Sequence, residues 1–189
     1  MDPTVAASFE YMSNASPIIV SGFLLMTSIF NQDIKAFVWM GALIIGLIIV
    51  RLVQPLIGQK SKCPSLPMMP YTSPSASSFL IMFTLAYLVA PMHANGDYNV
   101  YAILGFLLLF GVDAVVKLGK TCVTGMGVAA GTLMGVVYGI VAYSVIKGAG
   151  GNKLLYYNVG SSNNVYCSKP KKQTFKCNVY KNGELISTI

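Results

Sequence analysis

Few residues in this chain could do chemistry, and two of them stand inside apolar stretches. Asp113 lies near the end of the segment Tyr98–Val116, and Arg51 lies near the end of Ala36–Ile57. Ionisable groups in hydrocarbon are costly, so they usually face the interior of a helix bundle and mark a function or a partner. Both lie near the same predicted membrane face, which predicts an intramembrane ion pair, structural in preference to catalytic. Lys117, one turn beyond Asp113, is the competing partner.

Residue sets for metal binding or nucleophilic catalysis are missing from the sequence. Its one histidine, His93, falls in a short turn and has no Cys/His set around it. No glycine-rich phosphate loop follows a strand pattern. We therefore expect no catalytic residue, no metal and no cofactor.

The composition indicates that lipid surrounds these residues. Of the 189 residues, 54% are hydrophobic and only 10% are charged, well below the roughly 25% charge of a soluble domain. The net charge of +7 comes from lysines in one loop and the C-terminal tail. This arrangement favours anionic lipid head groups over nucleic acid as the counter-charge.

Apolar segments of spanning length predict an all-α polytopic membrane bundle over residues 1–147. The first, Pro17–Phe30, has 14 residues, whereas a spanning helix needs about 20. Recruiting Tyr11–Ser16 would make it long enough, and the alternative is a segment lying in the membrane interface. With the later segments this gives about five transmembrane helices: Pro17–Phe30, Ala36–Ile57, Pro74–Met92, Tyr98–Val116 and Gly125–Ile146.

Glycine recurs at every fourth position of the last apolar segment, which aligns these residues on one side of a helix. In membranes, small residues at this spacing allow a neighbouring helix backbone to approach closely. The stripe therefore predicts a packing surface, either inside the bundle or against a second copy. Its members are Gly127, Gly131, Gly135 and Gly139.

Charges beside the segments favour one orientation. The second and fourth segments end on the same face, where Arg51, Lys60, Lys62, Lys117 and Lys120 lie. The positive-inside rule then places the proline-rich loop 58–73 in the cytoplasm and the tail outside. The sequence predicts a multi-pass integral membrane protein but does not identify the membrane.

Residues 148–189 form a basic tail that the sequence predicts to be rich in β structure. Glycines at 148, 150 and 151 predict a flexible joint, and alternating side chains from Phe175 onwards are typical of strands. Asn182-Gly183 favours a two-residue hairpin turn that places Lys181 opposite Glu184.

So small a module needs a staple or a partner to be stable. Cys167 and Cys177 are a candidate disulfide if the tail faces an oxidising compartment. The alternative is two buried free cysteines.

Between Arg51 and Ile146 the chain has four features in order: the proline-rich loop, the stretch Ser73-Pro74-Ser75-Ala76-Ser77, the helix end Val116-Lys117 and the stretch Gly127–Gly135. This order resembles the core of the type 2 phosphatidic acid phosphatase superfamily. It implies a helix bundle with three motifs on one face.

The departures from that pattern imply a catalytically inactive relative. Pro74 and Ser75 match the second motif, but Ala76 and Ser77 replace its glycine and histidine. In the first motif Pro64 matches, yet Cys63 replaces an arginine. In the third, Lys117 stands near the arginine position, Val123 near the nucleophilic histidine, and Gly127 where an aspartate would orient it. None of these side chains can form a phosphohistidine.

The sequence therefore predicts a non-enzymatic integral membrane protein that links a membrane to protein partners through its loops and tail. An internal membrane of a virus particle, with capsid-like proteins as partners, is one such setting. A homo-oligomer would also be compatible with the glycine stripe. The alternatives are a phosphatase-like enzyme acting on lipid phosphates, and a lipid or ion carrier with Asp113 and Arg51 along its path.

Overall fold

A computed structural model describes residues 3–57, 71–121, 123–156, 178–181 and 184–188. Each of its five long helices has the length and apolar composition needed to cross a membrane. These features agree with a multi-pass integral membrane protein. The helices are α1 (Pro3–Phe30), α2 (Lys35–Ile57), α3 (Ala76–Asn95), α4 (Val100–Gly119) and α5 (Gly125–Gly148).

The first helix is long enough to span because it includes residues 11–16. Pro17 lies inside α1 without ending it, although proline cannot donate to the carbonyl four residues earlier. That carbonyl belongs to Ser13, and the Ser16 hydroxyl donates to it at 2.9 Å. A serine side chain thus replaces the missing backbone donor, as apolar surroundings require.

The helices alternate in direction, which gives the bundle two distinct ends. At the proline-loop end lie the last turn of α2, the first turns of α3 and α5, and the last turn of α4. At the turn end lie the short connections 31–34 and 96–99. Gly96 adopts a positive φ of 69° and closes α3, with its N–H donating to the carbonyl of His93.

The central helix is α3, and the other helices pack around it. Some 61% of its spanning window is buried, whereas for α4 the figure is 6%. Phe79 and Phe83 stack with ring centroids 6.0 Å apart, and Tyr138 of α5 packs against both. The large apolar side chains on the outer faces of the other helices are exposed, which fits a bundle whose surroundings are lipid.

The residues after α5 form a tight reversal, which corrects the flexible joint expected from the glycines. Gly150 has a positive φ of 78°, and its N–H donates to the carbonyl of Lys147 at 3.0 Å. The N–H of Gly151 donates to the carbonyl of Ile146 at 2.9 Å. This pair of hydrogen bonds is the Schellman arrangement that ends a helix and turns the chain. We call residues 149–156, which include a 3-10 helix at Asn152–Leu154, the return segment.

Two short strands lie near the C-terminus: β1 (Asn178–Lys181) and β2 (Glu184–Thr188). They pair antiparallel, with Lys181 opposite Glu184 and an irregularity between Val179 and Tyr180. The residues of the expected turn, 182–183, lie outside the described residues, as do Cys167 and Cys177. The disulfide, the two-free-cysteine alternative and an independent β module all stay predictions.

Candidate functional site

The glycine stripe of α5 lies against the backbone of α3, and we call this contact the glycine seam. A Cβ atom added to any of the four glycines would come too close to α3 or to the residues just before it. The distances would be 2.7 Å from Ser73 Oγ at Gly127, 2.5 Å from Ser75 O at Gly131, 2.6 Å from Phe79 O at Gly135 and 2.7 Å from Phe83 O at Gly139. Of the two locations that the sequence allowed, the structure places the stripe inside one bundle.

The seam begins at the proline-loop end and fixes the start of α3. The Ser75 N–H donates to the carbonyl of Gly127 at 2.9 Å, and Ser75 is also the N-cap of α3. From α2, the buried Gln54 amide donates to the Pro74 carbonyl at 3.1 Å. The first turn of α3 is therefore held from both α5 and α2.

Beside this turn lies a polar group inside the bundle, which we call the Asp113 cluster: Ser13, Ser77, Asp113 and Lys117. Asp113 is 0% exposed. Its Oδ1 accepts from Ser13 Oγ at 2.8 Å and pairs with Lys117 Nζ at 2.7 Å. Its Oδ2 accepts from Ser77 Oγ at 2.6 Å, and Lys117 also donates to Ser77. The cluster thus joins α1, α3 and α4 through one carboxylate.

Asp113 pairs with Lys117, which corrects the ion pair expected with Arg51. Lys117 occupies that place because it lies four residues along the same helix, where side chains meet without help from another segment. Arg51 lies on an exposed face of α2. His93 lies at the opposite, turn end, where its Nδ1 is 2.5 Å from the hydroxyl of Tyr98.

Several positions that carried the phosphatase-like resemblance meet at the proline-loop end. Pro74 and Ser75 precede α3, and Ser75 Oγ lies 3.2 Å from Ser77 Oγ, which in turn contacts Lys117. Gly127 belongs to the glycine seam. Pro64 and Cys63 lie outside the described residues, so the first motif has no described position.

The cluster fixes the position of one carboxylate through three donors. The hydroxyls of Ser13 and Ser77 and the ammonium of Lys117 all donate to Asp113. Charge-assisted hydrogen bonds of this kind are stronger than neutral ones. Across the described ranges, no group of three or more His, Cys, Asp and Glu residues is placed to hold a metal ion.

Sequence reasoning missed the contribution of α1 to this cluster. Ser13 and Ser16 of α1 are both buried hydroxyls. Polar side chains within a spanning segment commonly hydrogen-bond across helices, so Ser13 was a detectable signal. Its target could not be read from spacing, because Ser13 and Asp113 are 100 residues apart.

No family model, curated protein or solved structure matches this chain. The fold and the Asp113 cluster therefore stand on their own geometry. The likeness to the phosphatase superfamily stays a proposal, supported by motif order and by the meeting of Ser75, Ser77 and Lys117.

Proposed function

We propose that this chain is a non-enzymatic integral membrane protein that anchors protein partners to a membrane. The Asp113 cluster carries the proposal. The carboxylate is fully buried, and its contacts are with three groups of the same chain on three helices. A buried charge used in this way stabilises one arrangement of the bundle, as an anchor requires.

The basic tail supplies the surface for partners. Between residues 153 and 181 the chain carries six lysines: Lys153, Lys169, Lys171, Lys172, Lys176 and Lys181. Such a segment is attracted to anionic lipid head groups or to an acidic protein surface. The internal membrane of a virus particle, lying against a capsid-like lattice, offers both, and we propose it as the setting.

The first experiment measures the protein in purified membrane-containing particles. If it anchors a lattice, it is present at a fixed ratio to the lattice protein and stays with the lattice after mild detergent removes bulk lipid. A protein found only in cellular membranes, at no fixed ratio to any coat, would exclude the viral setting.

A charge-reversal variant tests the role of the tail. Changing Lys171 and Lys172 to Glu should release the partner while the protein remains membrane-integrated. The matched control changes Lys60 and Lys62 to Glu in the proline-rich loop and should keep the partner. Equal retention by both variants would argue against tail-mediated anchoring.

A second candidate function is hydrolysis of a lipid phosphate, favoured by the meeting of Ser75, Ser77 and Lys117 at one end of the bundle. It predicts phosphate release from phosphatidic acid by the purified protein, lost in Ser75→Ala and in Lys117→Met. Phosphate release that neither variant alters would assign the activity to a contaminant, and no release by the folded protein would exclude this function.

A further inference from the structure

The return segment does more than end α5, because its last two residues pack back onto the bundle. Leu155 is 2% exposed and belongs to the same apolar core as Leu24 of α1 and Tyr87 of α3. The Tyr156 hydroxyl donates to the carbonyl of Leu24 at 3.3 Å. The chain thus leaves α5, reverses, and contacts a different helix before the distal tail begins at residue 157.

The reversal itself leaves little freedom between α5 and this contact. A Cβ atom at Gly151 would lie 3.0 Å from the carbonyl oxygen of Ile146. Leu154 and Leu155 donate their N–H groups to the carbonyls of Gly151 and Asn152. Between the end of α5 and Leu155, the N–H groups of Ala149, Gly150, Gly151, Leu154 and Leu155 all donate to backbone carbonyls.

We propose that the return segment is a strap that fixes the root of the tail to α1 and α3 through Leu155 and Tyr156. A partner bound to the tail is then held through α1 as well as α5. The link to a bound partner rests on the anchoring function proposed above.

Hydrogen exchange of the full chain in lipid nanodiscs tests the strap. The amides of Gly150, Gly151, Leu154 and Leu155, which donate to backbone carbonyls, should be protected in the native protein. Leu155→Asn should speed their exchange about tenfold or more, because the variant loses the burial of a leucine side chain. Tyr156→Phe removes only the hydroxyl and should speed it about threefold, in line with a typical membrane hydrogen bond. The control Ala149→Ser, at an exposed position, should leave the exchange unchanged.

Peptides covering the glycine seam serve as the internal check, since their exchange should be the same in all variants. Rapid exchange of these four amides in the native protein would overturn the strap, and so would equal rates for Leu155→Asn and Ala149→Ser. If the tail retains no partner while the four amides stay protected, the anchoring function is excluded and the fixed root of the tail is still supported.

Discussion

The central helix α3 is held in two contrasting ways on two sides. Against α5, the glycine seam brings two backbones into close contact at Gly131, Gly135 and Gly139. Against α4 and α1, the Asp113 cluster reaches across with four polar side chains. The seam depends on the absence of atoms, whereas the cluster depends on each donor meeting its acceptor.

This contrast indicates how each contact should respond to change. Added volume at Gly131, Gly135 or Gly139 meets backbone atoms, which cannot rotate away as a side chain can. A change in the cluster instead leaves a polar group without its partner, and the cost depends on how well that group can reach water or another donor. Stability can be followed by detergent titration, with the fluorescence of the single, fully buried tryptophan, Trp39, as the probe.

The largest effect is expected from Gly131→Leu in the seam. A Cβ atom there already lies 2.5 Å from the Ser75 carbonyl oxygen, so α3 and α5 must separate. We expect a loss of more than about 3 kcal/mol, at the upper end of overpacking effects. The control is Gly105→Leu in α4, where a Cβ meets nothing within 4 Å. A similar loss from both variants would mean that the seam is not a close contact.

The next largest effect is expected from Lys117→Met, which breaks the ion pair from its more exposed side. The Lys117 side chain is 21% exposed and Asp113 is 0% exposed, so the variant leaves the carboxylate buried beside an apolar group. Removing one partner of a buried pair costs about 3 kcal/mol or more. Asp113→Asn should cost less, because the amide oxygen still accepts from Ser13 or Ser77, and Lys117 can extend towards water.

The double variant Asp113→Asn with Lys117→Met sharpens this comparison. It leaves neither charge behind, so it should be more stable than Lys117→Met alone. Additive losses in the double variant would show that the two side chains do not act as a pair.

Much of the seam could be predicted from sequence, and little of the cluster could. The spacing of Gly127, Gly131, Gly135 and Gly139 is local information, and a helix turns it into a stripe. The spacing does not specify which helix packs against the stripe, because that is a feature of the tertiary structure. From the sequence, Asp113 was expected near one membrane face with Arg51 as its partner. This prediction was wrong because proximity to a face does not specify which side of a helix a residue occupies.

The end of α5 shows a different limit of sequence reasoning. Taken as composition alone, Gly148, Gly150 and Gly151 predict a flexible backbone. In the structure one of them supplies the positive φ of a helix-ending turn and another allows the close return of the chain. Glycine permits both outcomes, and the choice depends on Leu155, whose buried position could not be inferred from its own neighbours in sequence.

A smaller effect is expected from Ser13→Ala, which removes the link from α1 to Asp113. The carboxylate keeps Ser77 and Lys117, so the cost should be about 1 kcal/mol or less. The matched control is Ser144→Ala in α5, whose hydroxyl donates to Ile140 of its own helix and should cost little. A loss for Ser13→Ala no greater than for the control would show that α1 is held by apolar packing alone.

The smallest effect is expected from Tyr138→Phe, which tests the contact of α5 with α2 beside the seam. The Tyr138 hydroxyl donates to the Ala42 carbonyl of α2 at 2.9 Å, while its ring packs against Phe79 and Phe83. Phenylalanine keeps the ring and loses one hydrogen bond, worth about 0.6 kcal/mol between membrane helices. Tyr101→Phe, at an 89% exposed position, is the control. If Tyr138→Phe costs as much as Lys117→Met, polar links would govern the α5 side as well, and the contrast between the two sides of α3 would fail.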